Sequence, residues 1–276
     1  MQIINTLIII TSILIATTSC GRKEVAIMSF NIRMNAVSDT GDISWDNRKN
    51  AVIKMIEEEK PAVIGMQEVL YNQLTFLEDN LHDYSRIGVG RDDGEDGGEF
   101  MAVFYDKDLL KIESQGNFWL SETPSTPSRG WDAACNRMVT WAEFSYIGTN
   151  RSFYFFNTHL DHVGKEARKQ SIALITDSIE QICVKDKPIF LTGDFNSTTD
   201  DAIYSPLLNM MQSAQATSLS TDYEGTFNGF KNKDTDRIID YIFYKGSTAK
   251  EYRTLKKEYG VPYISDHYPI VCRFTI

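Results

Sequence analysis

Basic residues are scarce in this sequence. Its 276 residues include 28 Lys and Arg against 38 Asp and Glu, so the formal net charge is -10. A protein that binds duplex nucleic acid normally carries a stripe of Lys and Arg that neutralises several phosphates, and the sequence has no such stripe. Its longest charged stretch, residues 90–99, is acidic, with one Arg against five carboxylates. The charge balance therefore disfavours a dedicated duplex-binding protein, although residues 90–99 by themselves could simply be a solvated, glycine-rich loop.

Cysteine is scarce as well. The chain has four, at Cys20, Cys135, Cys183 and Cys272. The three that follow Cys20 cannot all be paired within one chain, and no Cys/His spacing typical of a zinc site is present. We expect these three to be small buried residues.

The first twenty residues contain no charge at all. Their apolar run, residues 7–16, is too short for a stable membrane span and fits the apolar core of a signal peptide. Small residues precede Cys20 and Gly21, which resembles a bacterial lipoprotein cleavage site. No Lys or Arg precedes the apolar run, and Thr17 stands where Leu is usual; the alternative is an uncleaved N-terminal anchor.

The prediction from this leader is an exported protein. Residues 1–20 would be the signal peptide, Cys20 would carry the lipid, and residues 21–276 would form one domain. The protein would then be lipid-anchored to the bacterial cell envelope, and it would touch the membrane only through that anchor.

The most informative motif is the tetrapeptide at residues 193–196, Gly-Asp-Phe-Asn. It follows the apolar run 188–191, which is typical of a buried strand. In extended geometry Asp194 and Asn196 leave the chain on the same face, where they could hold a water, a metal or a phosphate oxygen. The alternative is an ordinary Asx turn, in which the Asp side chain accepts a hydrogen bond from the backbone.

Similar polar groups follow or interrupt other strand-like runs. Each has an ordinary structural explanation when taken alone, but together they indicate an acid-rich cleft at one end of a sheet. The clusters are Asn31 after residues 25–30, Glu68 after 62–67, residues 157–162 with His159 and Asp161, Asp240 within 237–243, and residues 264–270 with Asp266 and His267.

In their order along the chain these motifs resemble the endonuclease/exonuclease/phosphatase superfamily. The resemblance covers nearly everything after the leader, and the spaced motifs are specific as a set. It implies an α/β fold, a four-layer sandwich of two packed mixed β-sheets flanked by helices. It also implies metal-dependent cleavage of phosphate esters. The matching segments are residues 29–33, 67–68, 158–160, 193–197, 239–243 and 265–270.

The resemblance assigns metal binding to Glu68, to Asn31 directly or through water, and to Asp266 as a second ligand or hydrogen-bond partner. Oxygen ligands of this kind suit Mg²⁺ or Mn²⁺. Asp194 would orient or deprotonate the attacking water, and Asn196 would place that water and the phosphate.

Two histidines complete the catalytic residues that the resemblance implies. His159 and His267 would donate hydrogen bonds to phosphoryl oxygens. A carboxylate in an otherwise apolar strand needs a buried partner, and the resemblance implies that Asp240 orients His267.

The rim of the cleft is predicted to bind substrate. Arg91 and Glu99, and separately Arg137, belong to segments that recur in bacterial members of the superfamily. Arg168 shares the apolar face of a predicted helix over residues 164–183, near its start and close to His159; a phosphate contact and a surface ion pair are equally compatible with that position.

Three functions follow from the sequence. The first is hydrolysis of a small phosphodiester, a phosphorylated sugar or a lipid head group, with a phosphate ester as the expected partner. The second is an extracellular nuclease, which the acidic charge does not favour. The third is a binding protein on a decayed enzyme scaffold, against which the six intact motifs argue. Nothing in the sequence indicates an obligate protein partner.

Overall fold

The computed structural model of the protein describes residues 24–276, so the predicted signal peptide, residues 1–20, lies outside the described residues. The helices of the described range are α1 (Trp45–Glu59), α2 (Tyr71–Asn80), α3 (Lys165–Ile182), α4 (Ser205–Met210) and α5 (Ala214–Thr217), with short 3-10 turns at Gly41–Ile43 and Ala202–Tyr204. The strands are β1 (Glu24–Asn31), β2 (Val63–Gln67), β3 (Tyr84–Ile87), β4 (Val103–Asp106), β5 (Leu110–Trp119), β6 (Met138–Tyr146), β7 (Ser152–His159), β8 (Ile189–Asp194), β9 (Gln212–Ser213), β10 (Asp240–Lys245), β11 (Thr248–Thr254) and β12 (Ile270–Thr275).

The strands form two six-stranded sheets. The order is β11-β12-β1-β2-β4-β3 in one sheet and β5-β6-β7-β8-β10-β9 in the other. One pair in each sheet is parallel, β1 with β2 and β7 with β8, and the remaining pairs are antiparallel. Both sheets are therefore mixed, as the sequence predicts.

Each sheet buries both faces because its strands are apolar on both sides. In β1, Val25 and Ile27 point into the core between the sheets, whereas Met28 and Phe30 point to the opposite side and pack with α1 and α2. This alternation is the period-two geometry of a strand. Helix α3 covers the outer face of the second sheet with an apolar stripe that includes Ile172. The result is the predicted four-layer α/β sandwich, which is confirmed.

The parallel pairs bring the polar strand ends to one edge of the sandwich. Asn31 at the end of β1 is paired with Gln67 at the end of β2. In the other sheet Asp194, at the end of β8, lies beside both His159 and Asp240. Carboxyl ends of parallel strands meet at the same edge, so residues far apart in sequence converge there.

Three local features complete the fold. Helix α1 begins at Trp45, with Ser44 in the N-cap position. Residues 121–137 lie in the loop between β5 and β6. The segment 213–226 contains the short helix α5, which the alanines of residues 214–217 favour.

Two further properties bear on the sequence predictions. Cys272 is buried as expected, but Cys135 and Cys183 are only half-buried, and all three are free thiols. Within residues 24–276, none of the helices has both the length and the apolar character that crossing a bilayer requires.

Candidate active site

Asn31 connects two carboxylates at the floor of a cleft. Its Nδ2 donates to Glu68 Oε1 and to Asp194 Oδ2, each at 3.0 Å. Its Oδ1 accepts the backbone N–H of Arg33, which fixes the orientation of the amide. Asn31 and Asp194 are buried and Glu68 is half-buried. The structure therefore brings these predicted residues together from three different strand ends.

Asp194 and Asn196 do not leave an extended strand together, so that expectation was wrong. Asn196 lies past the end of β8 with φ of 52°, and its backbone N–H donates to Asp194 Oδ1 at 2.9 Å. This is the Asx turn that was the structural alternative. The turn nevertheless aims the amide into the cleft, where Nδ2 donates to Leu160 O and contacts His159 Nε2, each at 3.0 Å. Asn196 therefore both forms a local turn and contributes its side chain to the cleft.

His267 and Asp240 form the hydrogen bond that the sequence predicts. His267 Nδ1 is 2.9 Å from Asp240 Oδ2, and both side chains are buried. Burial alone would lower the pKa of His267. The neighbouring carboxylates Asp240 and Asp194 outweigh it and raise that pKa to about 10. His267 therefore carries a positive charge at neutral pH, and its Nε2 lies 3.6 Å from Asp194 Oδ2.

His159 is in the opposite protonation state. Burial, reinforced by Arg137 and Arg91, lowers its pKa well below the ordinary value, so the ring is neutral. Nε2 lies 3.4 Å from Asp194 Oδ2 and faces the Asn196 amide. Nδ1 accepts or donates no hydrogen bond within residues 24–276 and lies 3.8 Å from Glu99 Oε2. Two imidazoles whose surroundings drive their pKa values apart are a common arrangement for acid–base chemistry.

The carboxylates are crowded. Burial and the neighbouring Asp240 raise the pKa of Asp194 to about 7. Burial also raises the pKa of Asp266, with Glu68 adding to the shift. Such a concentration of buried negative charge is relieved by a bound cation, and the donors are the carboxylate and amide oxygens that hard divalent ions prefer.

Two clusters of ligand atoms are close enough to hold a cation. The first has one atom from each of Glu68, His159 and Asp194, all within 4.8 Å of one another. The second has one atom from each of Asp194, Asp240 and His267, also within 4.8 Å of one another. Asp266 belongs to neither cluster; its Oδ2 lies 3.9 Å from Arg33 Nη1. The first cluster fits a divalent ion better, because in the second the cationic His267 already offsets the carboxylates.

Three non-glycine residues around the floor have left-handed backbone. They are Arg33 with φ of 59°, Glu68 with φ of 62° and Asn196 with φ of 52°. This region is costly for residues with a Cβ, least so for Asn. Each residue directly follows or lies close after a strand end, so the strained turns are what direct these side chains into the cleft.

Three of the four predicted rim residues line the cleft beside His159. Arg91 Nη1 donates to Glu99 Oε2 at 2.7 Å, and Arg137 Nε donates to Asp161 Oδ2 at 3.2 Å. Arg137 is buried, and its Nη1 has no hydrogen-bond partner in the described residues. The two arginines therefore place positive charge beside the cleft and keep some N–H groups that are not hydrogen-bonded within the described residues.

Arg168 does not line the cleft. It is buried behind it, where Nη1 donates to the carbonyl of Asp161 at 2.7 Å. The Asp161 carboxylate in turn accepts the backbone N–H groups of Val163 and Gly164 at the start of α3. The geometry gives Arg168 a structural role, but as a buried hydrogen-bond donor and not as the surface ion pair that was the alternative: it ties α3 to the loop after β7.

Other cleft residues were not singled out from the sequence. The cleft measures about 430 Å³, the size of a site for a small molecule. Its lining also includes Arg33, Cys135, His162, Phe227 and Arg237. They lie in loops of ordinary polar composition, so periodicity could not find them. The one available signal was position: Arg237 comes three residues before Asp240.

The fold and the site together define a phosphoesterase of the endonuclease/exonuclease/phosphatase class. The family model described as "Endonuclease/Exonuclease/phosphatase family" matches residues 28–267, and the chain belongs to this family. Members of the family are hydrolases of phosphate esters.

Individual relatives differ in what their names state. The chain is similar to a mannosyl-6-phosphatase of Bacteroides thetaiotaomicron, with 35% identity, a TM-score of 0.87 and coverage of 91% of this chain and 100% of that one. It is 30% identical to an uncharacterized protein of Acanthamoeba polyphaga mimivirus, over 83% of this chain and 92% of the relative. It is 22% identical to Nocturnin of Drosophila melanogaster over 92% of this chain, but it spans only 47% of that protein.

Proposed function

We propose that this protein is a divalent-metal-dependent hydrolase of small phosphate esters, with sugar phosphates as the first candidate substrates. The observation that carries the proposal is the convergence around one cleft of oxygen donors, a cationic imidazole and a neutral imidazole. His267 and His159 both lie within 3.6 Å of the same carboxylate oxygen, Oδ2 of Asp194. The protein has the groups that hydrolysis of an anionic ester needs: charge neutralisation, a base and an acid.

Mg²⁺ or Mn²⁺ fits the oxygen donors of the cleft. Glu68 would hold the ion beside Asp194, and Asn31 and Asp266 would contribute directly or through water. A bound divalent ion supplies neutralisation of phosphoryl charge and acidification of water.

We assign proton transfer and stabilisation of the phosphoryl group to side chains of the cleft. Asp194 is buried, has a pKa near neutrality and is oriented by Asn31 and Asn196, so it is suited to accept a proton from the attacking water. His267, held cationic by Asp240, donates to a phosphoryl oxygen. His159 is neutral and can exchange a proton through Nδ1, which Glu99 faces.

Several observations support a small substrate. The similarity to the mannosyl-6-phosphatase covers nearly the whole of both chains. The net charge of -10 and the acidic loop at residues 90–99 repel polyanions more than compact esters. A nuclease is the second candidate, because the chain is also similar to Nocturnin and to the exoribonuclease subunit Ccr4 of Kluyveromyces lactis, at 22% and 23% identity.

A substrate panel tests the proposal. Purified residues 21–276 would be assayed for phosphate or alcohol release from mannose 6-phosphate, nitrophenyl phosphate, bis-nitrophenyl phosphate, sphingomyelin, RNA and plasmid DNA, with Mg²⁺, Mn²⁺ or EDTA. We expect metal-dependent turnover that is fastest on a small ester and that is lost in Asp194→Asn. Faster nicking of plasmid DNA than hydrolysis of any small ester, at physiological salt, would favour the nuclease. Absence of turnover on every substrate with either metal would favour a binding protein.

We also propose that the protein is exported and held at the bacterial cell envelope through Cys20. The supporting observations are the uncharged, apolar leader and the direction of β1, which runs from Glu24 at one end of the sandwich to Asn31 at the cleft. A tether before Glu24 would therefore leave the cleft facing away from the membrane. Labelling with a radioactive fatty acid should depend on Cys20, and labelled protein after Cys20→Ala would contradict the proposal.

A further inference from the structure

Phe227 and Arg237 form a wall of the cleft on the side of His267, away from the Arg91 and Arg137 rim. The Phe227 ring centroid is 5.0 Å from that of His267, with the rings nearly edge to face. The Arg237 Cζ lies 4.8 Å from the Phe227 ring centroid, over its face. Both residues line the same cleft as the catalytic groups.

The backbone holds this wall in place. Phe227 is bridged to His267 in an antiparallel contact. The carbonyl of Arg237 accepts the N–H groups of Thr226 at 2.8 Å and of Phe227 at 3.1 Å. The buried Thr226 hydroxyl in turn accepts the N–H of Asp240. The wall is thus tied to the residue that orients His267, and a ligand would meet a preformed surface.

Arg237 differs from the other arginines of the cleft. Arg33 is paired with Asp39, Arg91 with Glu99 and Arg137 with Asp161. Arg237 is exposed, and within residues 24–276 its guanidinium makes no ion pair or side-chain hydrogen bond; its described contact is the phenyl ring. Stacking fixes the plane of the guanidinium and leaves its N–H edge free for oxygen acceptors.

We infer that the Phe227–Arg237 wall binds the alcohol half of the ester, and that this half is a sugar. This inference rests on the proposed function. Five planar N–H donors suit the hydroxyl groups of a pyranose, and the adjoining ring edge offers an apolar surface to its C–H groups. Arg237 covers a face of Phe227, so a nucleobase could stack there only on the guanidinium, and a nucleotide is the competing ligand to test. The scissile phosphate would lie against His159 and His267 on the cleft floor, so Arg237 determines which alcohol is accepted.

The test compares substrates that share the phosphate and differ in the alcohol. Arg237→Gln would be assayed on a hexose 6-phosphate and on methyl phosphate, and inorganic phosphate would be tested as a competitive inhibitor. We expect kcat/KM for the hexose phosphate to fall about 10-fold or more, the scale of a lost hydrogen bond to a charged group. The loss should lie mainly in KM. The values for methyl phosphate and the Ki of inorganic phosphate should change by less than about 2-fold, since neither ligand reaches the wall.

Two variants serve as controls. Lys233→Ala removes a positive charge from the same loop, where Lys233 lies over Tyr263 outside the cleft lining, and it should leave all three values unchanged. Arg237→Lys keeps the charge but loses the planar fork, and it should recover only part of the hexose phosphate activity.

Several outcomes would overturn the inference. Equal losses on all three ligands would place Arg237 against the phosphoryl group, and unchanged values would remove it from binding. If turnover of a nucleoside monophosphate, assayed in parallel, falls in Arg237→Gln while turnover of the hexose phosphate does not, the wall would be assigned to a nucleoside. If the wild type hydrolyses methyl phosphate but no sugar phosphate, the protein is a phosphoesterase and the inference that its substrate contains a sugar is wrong. Absence of turnover on every ester would instead refute the proposed function itself.

Discussion

Replacing Asp240 with Asn should cause a loss of activity that grows with pH. The carboxylate and the amide have the same shape, and Asn Oδ1 can still accept the hydrogen bond from His267 Nδ1, so the geometry is preserved. What disappears is the negative charge that, together with Asp194, raises the pKa of His267 to about 10 against the effect of burial. The substitution therefore separates the charge of the pair from its orientation.

The size of the effect follows from the protonated fraction of His267. With Asp240 present, the ring is almost fully protonated at pH 8. If its pKa fell to the ordinary value of about 6.5, the protonated fraction at pH 8 would drop to roughly 3%, a loss of about 30-fold. At pH 6 the same shift would leave about three quarters protonated. Asp194 opposes this fall in the pKa of His267 and burial reinforces it, so about 30-fold is the expected scale of the loss at pH 8.

The assay is kcat/KM measured by phosphate release between pH 5.5 and 9.5 at saturating metal. We expect Asp240→Asn to move the basic limb of the profile to lower pH and to leave activity at pH 6 within about 2-fold, while His267→Ala should lose roughly 10²-fold throughout. The double variant should be no worse than His267→Ala alone, since both changes disable one unit. An equal loss at pH 6 and pH 8, or fully additive losses, would refute the reasoning.

Further predictions concern the metal, the structural carboxylate and the buried arginine. Mg²⁺ or Mn²⁺ at a hundredfold excess over Kd should stabilise the wild type by about 2.7 kcal/mol, several degrees in Tm, and Glu68→Gln should abolish this shift in differential scanning fluorimetry; an unchanged shift would exclude Glu68 as a ligand. Asp161→Asn should lower the free energy of unfolding, measured in urea at pH 7, by about 3 kcal/mol. Burial alone would raise the pKa of Asp161, but the backbone N–H groups of residues 164, 163 and 134 and the charge of Arg137 hold that pKa below its usual value. A depressed pKa contributes stability above the unfolded value of about 3.9 that is lost as pH falls, so the variant and wild type should converge at acidic pH, and a constant difference would contradict this. Arg168→Lys should lower Tm without raising KM for any ester by more than about 2-fold; a KM effect without a stability effect would restore Arg168 to substrate binding.

The acid-rich cleft could be predicted from the residues themselves. Apolar runs that end in Asn31, Asp194 or His159 indicate strands with polar ends, and alternation and burial are local properties of a sequence. The four-layer fold and the choice of His267 as the partner of Asp240 came instead from the resemblance to the family, because burial shows only that Asp240 needs a partner and does not identify it.

The backbone detail of the site was not predictable in the same way. Asn196 was expected in an extended strand, and only the tertiary contacts with Leu160 and His159 determine its left-handed turn. Arg168 lies on the predicted face of α3, but whether that face reaches the cleft depends on the loop after β7, where Asp161 binds the helix start. Phe227 and Arg237 are brought together by a loop, and the path of a loop cannot be predicted from hydrophobic periodicity.

The left-handed backbone at Arg33, Glu68 and Asn196 has a consequence for engineering this protein. Each such residue costs of order 1 kcal/mol, and Glu68 adds electrostatic repulsion to its crowded neighbours. Glycine would relieve the backbone cost at each of the three positions, and any uncharged side chain at Glu68 would relieve the repulsion. A laboratory selection for heat resistance alone would therefore favour substitutions at these three residues, and these substitutions would inactivate the site. Variants should be screened for turnover in every round.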